Sequence, residues 1–310
     1  MFNRPASDAA PPGAEALAPA AARLAGGRHV LIAGPTASGK SALALELACR
    51  EGGLIVNADA LQVWSCWRVL TARPSPADEN RAPHRLYGHM APGAPWSVGT
   101  WLGQVGALVA QGQRLIVTGG TGLYLDALTR GLAPIPPVPP EIAARAAAML
   151  AAPDGLGAMV AGLDPATRAR IDTRNPVRVR RAWEVLAATG RGLADWQATT
   201  GPALIPPADC ARIVLAAPRD WLAQRIEARF DAMIAEGALD EVRAMLPRWD
   251  PAALWARAIG APELVAHLRG EATLAEVRDR AVTATRQYAK AQRIFFRNRL
   301  ADWSVLQTGE

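Results

Sequence analysis

The stretch that most constrains this chain is Gly34-Pro35-Thr36-Ala37-Ser38-Gly39-Lys40-Ser41. Its spacing is G-x-x-x-x-G-K-S, a phosphate-binding loop that requires a strand leading in and a helix leading out. The apolar run His29-Val30-Leu31-Ile32-Ala33 supplies the strand, and Ala42-Leu43-Ala44-Leu45-Glu46-Leu47-Ala48 supplies the helix. The glycines let the backbone curl until successive N–H groups face one anion. The helix N-terminus adds roughly half an elementary charge. In that arrangement Lys40 reaches the outer phosphates and Ser41 ligates Mg²⁺. Of 34 basic residues only two are lysines, Lys40 and Lys290. An arginine-dominated chain thus carries a compact ammonium at the one loop where a planar guanidinium fork is no substitute.

Around the loop, short apolar runs alternate with helical stretches. Leu54-Ile55-Val56 reads as a second strand and Arg114-Leu115-Ile116-Val117-Thr118 as a third. The third opens into Gly119-Gly120-Thr121-Gly122, and Arg212-Ile213-Val214-Leu215-Ala216 reads as a fourth strand. Such alternation implies a parallel sheet covered on both faces, with ligands at the carboxyl ends of its strands. Pro134, Pro136, Pro137, Pro139 and Pro140 then interrupt any helix or central strand. The pattern from Glu141 to about Thr200 is helical, and Pro206-Pro207 precedes the fourth strand. The expected fold class is therefore α/β. A P-loop parallel-sheet core with helices on both faces spans 28–138 and 205–310, and an all-helical insertion occupies 139–204. The Ala/Pro/Gly-rich residues 1–27 read as a disordered tail rather than a targeting peptide.

At 310 residues the chain has ample length for a real core. No apolar run approaches the roughly 20 residues that cross a bilayer, so no membrane role is expected. Cys49, Cys66 and Cys210 form no C-x-x-C pair and the four histidines are scattered, so neither zinc nor a disulfide framework is expected. The expected compartment is the cytoplasm and the expected state a monomer. A net charge of +6 is mild for this length, but its distribution is uneven. Arg174, Arg178 and Arg181 share one side of a helix whose start is set by Asn175 as cap and Pro176 at its first position, and whose end is set by Gly190. Arg286, Lys290, Arg293 and Arg297 are spaced to line one face of a second helix. Two basic stripes flanking a phosphate-binding core point to a polyanionic partner such as RNA, although the second could equally serve a diphosphate.

Loops of this kind in nucleotide-hydrolysing proteins are usually joined by a strand ending in Asp, which organises Mg²⁺. Here the third strand ends without a carboxylate. Asp59, three residues beyond the second strand, is the nearest candidate. It fits either the magnesium-organising carboxylate or a general base, and spacing does not separate the two.

Taken together these segments resemble the tRNA dimethylallyltransferase (tRNA isopentenyltransferase) family in its bacterial form. The loop matches, including its Pro-Thr, as do Asn57-Ala58-Asp59-Ala60-Leu61-Gln62-Val63-Trp64 and Gly119-Gly120-Thr121-Gly122-Leu123-Tyr124. Asn175-Pro176 through Val185 and Thr285-Arg286-Gln287-Tyr288-Ala289-Lys290 with Gln292 match as well. Thr71-Ala72-Arg73-Pro74 resembles a Gly-Thr-Ala-Lys-Pro element with Leu70 for Gly and Arg73 for Lys. Ala261-Pro262 stands where the family has Tyr-Lys. The resemblance implies transfer of a dimethylallyl group from dimethylallyl diphosphate to N6 of an adenine next to the anticodon, position 37 of tRNA. It implies a diphosphate held by residues 34–41, Mg²⁺ on Ser41, and catalysis by Asp59, Thr36, Lys40 and Arg257. It places tRNA against Asp59, Ala60, Leu61, Gln62, Thr121, Arg174, Arg178, Arg181, Arg286, Gln287 and Lys290. The competing readings are prenyl transfer to free AMP-type nucleotides, a small-molecule P-loop kinase, and a non-catalytic RNA-binding protein.

Overall fold

A computed structural model describes residues 13–309. Contacts divide the chain into two units, 1–129 with 205–310, and 130–204. The first unit is built on a six-stranded sheet of β1 (His29–Ala33), β2 (Leu54–Asn57), β3 (His84–Arg85), β4 (Leu115–Gly119), β5 (Cys210–Ala216) and β6 (Ser304–Gln307). Their order is β3-β2-β4-β1-β5-β6 and every pairing is parallel. Val30, Ile55, Ile116 and Ile213 belong to one apolar cluster with Leu43 and Leu47. The alternating residues Leu31, Leu54, Val56, Leu115 and Val117 are buried too. Both faces of the sheet are therefore covered, as a parallel sheet requires.

The first helices are α1 (Ala14–Ala25), α2 (Lys40–Glu51), α3 (Pro76–Arg81), α4 (Val98–Ala110) and α5 (Gly122–Arg130). The second unit holds α6 (Pro140–Ala151), α7 (Gly155–Ala161), α8 (Pro165–Arg170), α9 (Pro176–Thr189) and α10 (Leu193–Ala198). The chain then re-enters the first unit and ends in α11 (Arg219–Ala235), α12 (Ala238–Met245), α13 (Ala261–Leu268) and α14 (Leu274–Arg299) before β6. Leu222, Ile226 and Phe230 of α11 form a second apolar cluster with Trp64, Trp67 and Trp255. None of the described helices is long and apolar enough to cross a membrane.

Three expectations need correction. Residues 14–25 of the expected tail form α1, whose Ala18, Ala21 and Ala25 are fully buried in the cluster that holds α2. Small side chains at helical spacing let two backbones approach, an effect composition alone conceals; Pro19 is tolerated inside the helix. Residues 1–12 lie outside the described residues. The sheet has six strands, because the short edge strands β3 and β6 join the four expected. The second unit begins at 130 rather than 139, since the chain leaves the sheet unit as soon as α5 ends.

Candidate active site

β2, β4 and β1 lie side by side, so the three turns at their carboxyl ends converge. The first is the phosphate loop. Ala37 sits there in the left-handed region at φ 63°, a conformation that costs a Cβ-bearing residue roughly 1–2 kcal/mol. Gly39 caps α2 without any side-chain bond to the first turn, which contains no acidic residue. That helix start thus presents N–H groups and a positive end, both suited to an anion. The Lys40 ammonium donates to the Pro35 carbonyl at 3.3 Å. Burial lowers it to about 8, while Asp59 opposes the shift and Arg229 adds to it.

The second turn carries Asp59. Buried Asn57 fixes it from both sides: its Oδ1 accepts the Asp59 N–H at 2.8 Å, and its Nδ2 donates to the Asp59 carbonyl at 2.9 Å. The Asp59 carboxylate accepts the Leu61 N–H at 2.9 Å. The third turn closes against the second. A Cβ on Gly119 would sit 2.1 Å from the Ala58 carbonyl oxygen, so only glycine permits this approach. Thr121 donates its N–H to Ala58 O at 3.1 Å, and its hydroxyl accepts the Ala60 N–H at 3.0 Å.

Cavities open over the first two of these turns. The larger, about 570 Å³, is lined by Ala37, Gly39, Lys40 and Ser41 together with Arg68, Arg73, Arg225 and Arg229. The smaller, about 80 Å³, has a polar side formed by Thr36, Asp59, Thr71, Arg229 and Tyr288, and an apolar side that includes Leu61, Leu70, Phe230 and Met233. Arg229 borders both cavities. It donates to the Thr36 hydroxyl at 3.3 Å and the Thr71 carbonyl at 3.4 Å, and burial lowers its pKa. Arg225 donates to the Ala37 carbonyl at 2.9 Å and lies over the Trp221 ring. Burial and the Asp59 charge push the Tyr288 and Tyr87 phenols well above their ordinary value.

The expected residues divide accordingly. Thr36, Asp59 and Leu61 meet at the smaller cavity, and Ala37, Gly39, Lys40 and Ser41 at the larger. Gly34 and Pro35 shape the loop behind them: Ser38 Oγ would touch a Cβ on Gly34, and the Ser38 N–H donates to the Pro35 carbonyl. Ala60 and Thr121 join the two turns. Gln62 borders neither cavity; its side-chain amide donates to the Thr71 and Ala72 carbonyls and braces the loop that carries Arg73. Arg257 is exposed and also borders neither cavity. Its short 3-10 turn buries Trp255 and Ala256, which turns the third residue outward. On α14, Arg286 pairs with Glu227, while Gln287 and Lys290 are exposed. On α9, Arg178 and Arg181 are exposed beside Val177, which is 75% exposed; Arg174 lies just before the cap, within 3.7 Å of Asp172.

Sequence reasoning gave no role to Arg68, Arg225, Arg229 or Gln292. Arg225 and Arg229 are four apart, flanking buried Ile226, which marks one helix face turned toward the core. That signal was present but diluted among many arginines. Gln292 stood at the end of a matching segment, with nothing in its spacing to say what it holds.

Comparison with known proteins agrees with this geometry. Residues 62–299 match the family described as IPP transferase. A tRNA dimethylallyltransferase of Paracoccus denitrificans (strain Pd 1222) is 64% identical over 296 residues, covering 94% of this chain and 98% of the relative. One of Cereibacter sphaeroides (strain ATCC 17025 / ATH 2.4.3) is 62% identical over 280 residues, covering 90% and 96%. Among solved structures, the full-length tRNA isopentenylpyrophosphate transferase of Bacillus halodurans superposes with a TM-score of 0.64 at 29% identity, covering 90% of this chain and 89% of that one. A eukaryotic dimethylallyltransferase acting on tRNA shares the fold at a TM-score of 0.75 and 24% identity, over 90% of this chain and 73% of its own. A family model matched over residues 62–299, and relatives more than 60% identical over nine-tenths of the chain, place this phosphate-loop protein in the IPP transferase family.

Proposed function

We propose that this chain transfers a dimethylallyl group from dimethylallyl diphosphate to N6 of the adenine at position 37 of tRNA, releasing diphosphate. The observation that carries the reading is the pair of cavities bordered by one arginine. The larger is lined by Lys40 and four arginines against the single carboxylate of Glu236, and this excess of positive charge suits a diphosphate. The smaller combines apolar walls with Asp59 and suits a short prenyl group meeting a nucleobase.

The adenine N6 lone pair is delocalised into its ring, so it attacks poorly and the leaving group needs the greater help. As the carbon–oxygen bond of the donor breaks, its electron pair stays on the diphosphate, and positive charge spreads over the allyl unit. Lys40, the N–H groups at the start of α2, Arg225 and Arg229 stabilise that growing negative charge. Preorganised stabilisation of this kind is usually the largest single term in catalysis. N6 forms the new bond to carbon and gives its proton to Asp59. Because Asp59 borders the smaller cavity and Ser41 the larger, the base reading of Asp59 is preferred over a metal role.

The described residues contain no group of three or more His, Cys, Asp or Glu able to cage a metal. Ser41 with diphosphate oxygens and water fits Mg²⁺, which commonly retains water and binds through substrate phosphates. Bound there, Mg²⁺ would supply charge neutralisation on the leaving oxygen. The exposed arginines of α9 would hold the tRNA backbone, and extruding a base from an already single-stranded loop costs little. The protein would act as a cytoplasmic monomer.

The test supplies purified protein with Mg²⁺, labelled dimethylallyl diphosphate and either tRNA or AMP. Label should appear on adenine N6 of tRNA. Turnover on AMP alone would overturn the acceptor, and phosphate transfer from ATP would overturn the chemistry. Asp59→Ala should retain tRNA affinity while losing about 10²–10⁴-fold in turnover.

A further inference from the structure

We propose that Gln292 is a positioning residue that sets the reach between the departing diphosphate and the carboxylate that takes the proton. The proposal rests on the reading of the two cavities given above.

Gln292 lies on α14 and is 5% exposed. Its amide is used in both directions. Oε1 accepts the Thr36 N–H of the phosphate loop at 2.9 Å, and Nε2 donates to the Gly120 carbonyl beyond β4 at 2.9 Å. One side chain therefore bridges the turns after β1 and β4, which are neighbours in the sheet. A Cβ on Gly120 would fall 2.2 Å from Nε2 and 3.4 Å from Asp59 Oδ2, so the amide and the carboxylate share the edge of one turn. Tyr288, one helical turn earlier, brings its phenol beside the Thr121 and Gln292 side chains, and burial with the Asp59 charge pushes its pKa up.

The bridge has a consequence for the loop itself. Gln292 accepts the Thr36 N–H, so this N–H of the phosphate loop is already engaged. The Thr36 hydroxyl accepts from Arg229, which together with Met233 borders both cavities. Shifting Thr36 would move the wall of the prenyl cavity and the contact of Arg229 together. A neutral amide supplies one acceptor and one donor here. An ionised carboxylate of similar reach supplies two acceptors and would repel Gly120 O; protonated, it regains the donor.

The test compares Gln292→Glu and Gln292→Leu with the unaltered protein, using Mg²⁺, dimethylallyl diphosphate and tRNA, across about pH 5 to pH 9. The groups facing position 292 are Asp59, Tyr288 and, through Thr36, Arg229. Burial and the neighbouring Asp59 charge would hold a glutamate there in its neutral form to higher pH than usual. The kcat ratio of Gln292→Glu to the unaltered protein should rise as pH falls. It should reach a loss of about 10²-fold at the alkaline end, the scale expected of a 1 Å misplacement. The Kd for tRNA should stay unchanged. Gln292→Leu should lose activity at every pH. A Gln292→Glu profile parallel to that of the unaltered protein overturns the proposal, as does a loss that follows tRNA affinity rather than kcat. Should Gln292→Leu fail to fold, the Gln292→Glu ratio decides alone. Absence of transfer by the unaltered protein overturns the functional reading itself, before any variant is compared.

Discussion

Lys40 shows what a binding residue does to the protein that holds it. Burial holds its ammonium near 8, against 10.5 for an unhindered lysine. A cation whose folded pKa lies below its unfolded value destabilises the fold while it remains charged in both states. That penalty is fully present below about pH 8. It fades as pH rises from 8 towards 10.5, because the folded state releases its proton first. Lys40→Met should therefore raise stability at neutral pH by on the order of 1 kcal/mol, after discounting for partial exposure. Its advantage should shrink above pH 8. Thermal melting of both proteins across that range checks the sign; a variant less stable than the parent at pH 7 would contradict it. The same variant should bind dimethylallyl diphosphate more weakly. A site that holds cations ready for an anion is thus less stable empty than an apolar isostere would be.

At the level of elements, α9 shows how well local chemistry can be read. Asn175 caps it by accepting the Val177 and Arg178 N–H groups, Pro176 stands at its first position, and Gly190 closes it in the left-handed conformation. Asn175→Ala should cost about 1 kcal/mol, seen as earlier unfolding in denaturant. Arg178→Ala with Arg181→Ala should weaken tRNA binding, and log affinity against log salt should flatten by about 0.7–0.9 for each phosphate left unneutralised. Unchanged binding at every salt concentration would remove these arginines from the interface. The strand–loop–helix around 34–41 was equally legible, because glycine spacing and apolar runs are local. Other features were not. β3 has two residues, and β6 is largely exposed, so neither shows an alternating pattern. α1 hid behind a composition rich in Ala and Pro. Gln292 joins residues 256 and 172 positions away, and no window along the chain contains such a bond. Arg257 entered only through the family resemblance, whereas the direction a side chain takes from a short turn depends on what that turn buries.

The whole molecule places one unit inside the sequence of another, and the junction shows how separable they are. The Ile205 N–H donates to the Leu128 carbonyl at 3.1 Å. The chain therefore leaves the sheet unit and returns to it at adjacent points. Closing such a gap with a short glycine linker demands little loop entropy. Strands β1, β2 and β4, the phosphate loop, Asp59, Arg225, Arg229 and Gln292 all lie within the sheet unit. The Asn175-capped helix and its exposed arginines lie within the other. Replacing residues 131–203 by a short linker should leave a folded protein that still binds dimethylallyl diphosphate. Such a protein should lose most of its tRNA affinity, and with it prenyl transfer to tRNA. Calorimetry of donor binding and a tRNA gel-shift, run on the same preparation, separate the two effects. Loss of donor binding in a cooperatively folded deletion variant would show that the sheet unit does not hold the site alone. Full tRNA affinity would show that the exposed face of α14, with Gln287 and Lys290, carries the acceptor instead.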